Sequence, residues 1–122
     1  MAIGSTIIQT PANVSRIANF FVAANGQALN CSTSSASVAL VALADGSPAT
    51  DIVMFNSGSV NVFVAFGSTA PTAAIPADGT PANGIIIAPG AYLTFCKGSN
   101  LFLAAITASS TATIYFYQGY GS

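Results

Sequence analysis

Few side chains in this sequence could do chemistry. The charged residues are Arg16, Lys97, Asp45, Asp51 and Asp78, and both His and Glu are absent. A serine or cysteine nucleophile wants a neighbouring base, normally His, and a zinc site wants His or several Cys. Neither set can be assembled here, so no catalytic residue, no metal and no cofactor is expected, and the chain reads as a non-enzyme. Cys31 and Cys96 lie far apart and outside any CxxC or CxxCH spacing. They read as two small buried apolar side chains rather than as a disulfide. Asp45-Gly46 and Asp78-Gly79 look like fragments of calcium loops, but a hard cation wants about six or more oxygens, several of them carboxylate. Two isolated Asp-Gly pairs read as turns.

The tyrosines are the other chemically useful group. Tyr115, Tyr117 and Tyr120 combine apolar rings with hydroxyls and could stack on a sugar or pack against a partner. Sugar sites usually add Trp and several carboxylates or amides, and Trp is absent. An interface between copies of the chain is therefore the preferred reading of these three.

The elements that must position these residues are strands. At 122 residues the chain is the size of one domain, taken as a single β-sandwich over 1–122 with residues 1–35 as a partly extended N-terminal arm. Short β-branched and aromatic runs alternate with Gly, Pro, Asn and Ser, the pattern of an all-β fold. The clearest expected hairpin joins residues 52–55 to 60–66 through Asn56-Ser57-Gly58-Ser59. Val60, Val62, Val64 and Phe66 share one face of its second strand, which should be core. Ala88-Pro89-Gly90-Ala91 predicts a type II turn with positive φ at Gly90, joining residues 85–87 to 92–96. Further turns are expected at 97–100 and 108–110, and Asn25-Gly26 signals a hairpin between residues 20–22 and 28–29. Residues 36–43 make a further strand. Val14, Ile17, Ala18 and Phe21 also match helical spacing, with Asn13 as a cap. The stretch 69–83, with Pro71, Pro76 and Pro81, reads as a surface loop or arm. The expected architecture is an antiparallel β-sandwich of about eight strands in two sheets.

Composition limits the partners. Charged residues are 4% of the chain, apolar residues 52%, and the formal net charge is −1. Two cations cannot neutralise the roughly six phosphates of ordinary duplex binding, so nucleic acid is not an expected partner, and a polybasic membrane tether fails likewise. The longest apolar run falls short of the ~18 residues of a transmembrane helix. The start shows no basic and apolar leader pattern, so synthesis in a cytoplasm without membrane insertion is expected. Solitary domains usually keep net charge away from zero and guard edge strands with charge. This sequence does neither, and several strands are apolar on both faces: Ile114 and Phe116 against Tyr115 and Tyr117, Val62 and Val64 against Phe63, Leu101 and Leu103 against Phe102. Burial against other protein copies is the reading. Aspartate at either Phe63 or Phe116 is expected to abolish folding or assembly.

The order of motifs also carries a resemblance. The segment DIVMFNSGSVNVFVAFGS, a Pro/Ala loop, then IIIAPGAYLTFCKGSNLFLAAITASSTATIYFYQGYGS resembles small β-rich decoration, or cement, proteins of double-stranded DNA bacteriophage capsids. The likeness covers about the last two thirds of the chain and rests on residues 56–67, the 88–91 turn and the Gly-rich ending. It implies a jelly-roll-like sandwich that binds the outside of an assembled head as a homodimer or homotrimer and bridges major capsid subunits. On that reading Arg16, Phe20, Phe21, Pro71, Pro76, Asp78 and Pro81 face the capsid, and Tyr115, Tyr117 and Tyr120 lie between copies. The protein would then be made in the host cytoplasm and reside on the virion exterior. The alternatives are another virion component, such as a head-fibre base or tail-tip subunit, and a carbohydrate-binding β-sandwich.

Overall fold

In the computed structural model, residues 21–43 and 49–120 are described, and all their regular structure is β. The strands are β1 (Phe21–Val22), β2 (Gln27–Cys31), β3 (Ala36–Ala39), β4 (Asp51–Asn56), β5 (Val62–Gly67), β6 (Ile85–Ile87), β7 (Tyr92–Cys96), β8 (Phe102–Thr107) and β9 (Ala112–Tyr120). They form two antiparallel sheets. Sheet one runs β1/β2–β9–β4–β7 and sheet two runs β3–β8–β5–β6. Both β1 and β2 pair with β9, at opposite ends of it, so together they fill one of eight strand positions. From β2 onward, every connection except β5 to β6 passes from one sheet to the other. This is the wrapped topology of a jelly roll.

The core lies between the sheets and follows from period-two alternation. Ile52 and Met54 of β4 and Ile114 and Phe116 of β9 meet Val62 and Val64 of β5 and Leu103 and Ala105 of β8. Val60 and Phe66 pack against this cluster, so the expected core face of β5 is the observed one. Phe66 and Phe95 close one end as an edge-to-face pair with centroids 5.7 Å apart. Val41 is held where the chain leaves sheet two: its N–H donates to Gln27 Oε1 at 3.0 Å, and its carbonyl accepts from Gln118 Nε2 at 2.6 Å.

The turn signals mark reversals, but the expected hairpins are not formed. Strand β4 belongs to sheet one and β5 to sheet two, so residues 57–61 arch between sheets. The buried Asn56 makes the arch. Its Nδ2 donates to the carbonyls of Val60 and Ile87, both at 2.8 Å, and its Oδ1 accepts from Gly58 N–H at 2.9 Å. The 88–91 turn has the expected Gly90 φ of 74° and an Ala91 N–H to Ala88 carbonyl bond, yet it too joins opposite sheets. Asn25-Gly26 does not fold β1 onto β2, because β9 offers both a longer partner in register. Thus residues 21–31, assigned to an arm, are a paired sheet edge. The helical spacing ending at Phe21 lies outside the described residues except for Phe21 itself, which is strand.

The 68–84 connection is not a free arm. Ser35 Oγ accepts from Ala73 N–H, Asn83 Oδ1 accepts from Ala74 N–H, and Asn83 Nδ2 donates to the Thr72 carbonyl. These bonds lay Ala73 on Ala65 and Ala104, beside Ile106, so the loop covers part of the outer face of sheet two.

Candidate functional site

The outer face of sheet one gathers the residues of interest. Alternation places every second residue of β9, β4 and β7 there, and the register aligns Ala28, Tyr115, Phe55 and Tyr92 in one row. Tyr117, Val53 and Thr94 form the next row, and Gly119, Asp51 and Cys96 the one beyond. Phe55 and Tyr92 stack with centroids 4.5 Å apart and planes tilted by 33°. Val53, Phe55, Tyr92, Tyr115 and Tyr117 line a shallow groove of about 220 Å³. Tyr92 is 69% exposed, Tyr115 44% and Tyr117 41%. Gly26 is what lets the Tyr117 ring lie down across the neighbouring strand, since a Cβ there would collide with the ring.

This grouping differs from the one expected. Tyr115 and Tyr117 do share a face, but Tyr120 has the opposite parity on β9 and sits beside Phe21 at the sheet edge. Phe55, Tyr92 and Val53 join the face although their own segments gave no sign of it. Only the cross-strand register brings them together. Of the residues assigned to a capsid contact, Arg16 and Phe20 lie outside the described residues. Phe21 is exposed on β1, whereas Pro71 is half-buried beside Gly67 in the loop over sheet two. Pro76, Asp78 and Pro81 are exposed near the tip of that loop, where Ala77 and Thr80 bridge across Asp78-Gly79.

The one buried cation among the described residues is structural. Lys97 is buried and its Nζ donates to the carbonyls of Ala49, Gly98 and Asn100. Burial holds its pKa below the ordinary 10.5, with Asp51 opposing the shift. Asp45 lies outside the described residues. Among the described residues no group of three or more His, Cys, Asp or Glu comes together, and no helix is long and apolar enough to cross a membrane.

Both cysteines are free thiols, but only Cys31 is buried. Cys96 is exposed on the outer side of edge strand β7, a correction to its reading as a core residue. The difference is positional, since Cys31 lies on the inner face of β2 and packs in the core. Burial pushes the Cys31 thiol from its ordinary 9.0 to about 11, a backbone hydrogen bond from Ile114 opposing. Because the folded value is the higher one, the stabilisation is fully present below pH 9.0 and is lost as pH rises towards about 11. The loss should approach roughly 2–3 kcal/mol. Denaturant midpoints measured across this window should fall in the wild type more than in Cys31→Ala; parallel pH profiles would contradict the assignment.

Fold and site together define an antiparallel jelly-roll sandwich with one aromatic face that carries no exposed charge among the described residues. No known protein family matches the sequence, and no curated protein does. Among solved structures the chain is similar to a cupin-2 domain containing protein from Shewanella frigidimarina NCIMB 400, with a TM-score of 0.41 and 12% identity over 83% of this chain and 79% of that one. A superposition that loose bears on neither ligand nor activity.

Proposed function

We propose that this chain is a non-enzymatic structural component of a double-stranded DNA bacteriophage particle. In this reading it is a decoration protein that seats on the outer surface of the head, associates with its own copies, and ties neighbouring major capsid subunits together. The observation that carries the reading is the aromatic face of sheet one, which is broad, half-exposed and without an exposed charge. Among the described residues Asp78 is the only exposed charge, since Asp51 and Lys97 are buried. A surface of this kind suits lasting packing against protein better than turnover of a substrate. On a lattice, each molecule that touches several subunits also gains through effective concentration, so modest contacts suffice. Its place is then the virion exterior after synthesis in the host cytoplasm, with no cofactor, nucleic acid or membrane required.

The test is co-sedimentation with heads of the phage whose genome carries this chain. Saturable binding near one copy per coat subunit, with heads that then better survive heating, is the expected result. A few copies per particle would point instead to a head-fibre base or tail-tip subunit, and protein left entirely in the supernatant would overturn a virion role.

One observation favours a second reading. The Tyr117 ring laid across Gly26, next to Tyr115 and Tyr92, offers ring surface over which a sugar could stack. Retention on a glycan array, lost in folded Tyr115→Ala or Tyr117→Ala, would establish a carbohydrate-binding sandwich in its place.

A further inference from the structure

The two outer faces of the sandwich are finished differently. The 68–84 loop covers part of sheet two, with Ala73 seated on Ala65 and Ala104. Over sheet one, the described residues provide no such cover, and Tyr92, Tyr115 and Tyr117 remain exposed, as does Val22 at the edge. We infer that this bare face is a self-complementary interface through which two copies of the chain pair face to face about a two-fold axis. Phe55, Tyr92, Tyr115 and Tyr117 form its centre, and Cys96 marks its margin. The inference rests on the reading of the chain as an assembly component and names its first partner, a second copy.

Charge argues for a second copy as the occupant. In a two-fold contact the residues on the axis meet their own equivalents, so a charge at the centre of the face would meet a like charge. Neither aromatic row contains an ionisable acid or base other than tyrosine hydroxyls, and Asp51 in the row beyond them is buried. The same neutrality denies a different partner any charge complementarity by which to be selected. The rings are amphipathic, which lets the face stand in water before pairing and be buried after it.

Area sets the strength. With fractional exposures of 69, 44 and 41%, the three tyrosines offer about 300 Å² at the ~200 Å² of an aromatic side chain. A stable interface wants ~800 Å² per partner. The rest must come from the surrounding face, which at four strand positions is ~19 Å wide. The three rings alone fall short of that area, so pairing should be reversible and concentration-dependent.

The closing experiment is sedimentation velocity on the full chain over a dilution series, with alkylation of Cys96 read in parallel. Cys96 is exposed on the same side of β7 as Tyr92 and Thr94, while Cys31 is buried. The expected result is a dimer that dissociates on dilution, with Cys96 modified several-fold more slowly in the dimer. Thr94→Lys adds a charge at an exposed position and should weaken association at least ~10-fold without unfolding, as should Tyr115→Ser. Tyr120→Ser, on the other side of β9, should leave association unchanged. A monomer at every concentration, or a dimer indifferent to Thr94→Lys in folded protein, would overturn the inference. Head binding separates this from the broader reading: heads decorated by a strict monomer remove the interface alone, whereas a Thr94-sensitive dimer that ignores heads removes the virion role alone.

Discussion

Aspartate at position 116 should leave no folded protein. Phe116 is 1% exposed, the largest of the fully buried side chains, and lies on β9 between β2 and β4, opposite Gln27 and Met54. Truncating a buried phenylalanine costs about 3–5 kcal/mol, and an unpaired buried carboxylate adds several kcal/mol more. Against the ~5–15 kcal/mol that holds a domain of this size together, the sum is decisive. Far-ultraviolet circular dichroism and soluble yield read the outcome; a soluble Phe116→Asp variant with a cooperative melt would contradict the packing described. The sequence suggests the same fate for Phe63→Asp, and the structure separates the two. Phe63 is only half-buried, on the outer side of sheet two, where it lines a groove with Ser59, Asn61 and Pro89. Its carboxylate would reach water, so that variant should fold, with a loss of roughly 1–3 kcal/mol.

The second large effect belongs to Asn56. Its side chain satisfies one N–H and two carbonyls at the point where the chain passes from sheet one to sheet two. Its own backbone is also engaged, accepting from Gly90 N–H and donating to the Ala91 carbonyl. In Asn56→Asp the ionised carboxylate still accepts from Gly58 but faces the Val60 and Ile87 carbonyls with no proton to give. Each buried carbonyl left unpaired costs about 1–3 kcal/mol, so a total loss of roughly 3–5 kcal/mol at neutral pH is expected. Burial favours the neutral acid, which can donate one bond, so the variant should recover part of the deficit as pH falls. Urea denaturation of wild type and Asn56→Asp at neutral and acid pH reads both effects. Equal midpoints at neutral pH would show that the arch is held by something other than this amide.

Particular residues show how far the sequence could be read. The alternation of Val60, Val62, Val64 and Phe66 specified a core face, and that face is buried. The positive φ expected at Gly90 is present. Asn56-Ser57-Gly58-Ser59 marks the right place for a reversal, but the same residues serve a hairpin and an arch equally well. In a hairpin through that turn Val62 would lie beside Val53 in one sheet; in the arch Val62 meets Met54 across the core. Their apolar pattern is identical in both cases, so periodicity cannot distinguish them. Tyr120 stands apart from Tyr115 and Tyr117, since an odd separation along a strand places residues on opposite faces.

What the sequence by itself determined is the class: β-branched alternation dictates strands, and the shortage of charge with no His or Glu leaves little for acid–base or metal chemistry. The rest of the candidate site, beyond Tyr115 and Tyr117, was decided by tertiary structure alone. Phe55, Tyr92 and Tyr115 are separated by long stretches of chain, and only the β9–β4–β7 register sets them in one row. Register is a property of partner choice, which depends on how two whole sheets bury their inner faces against each other. No local window of residues contains that information.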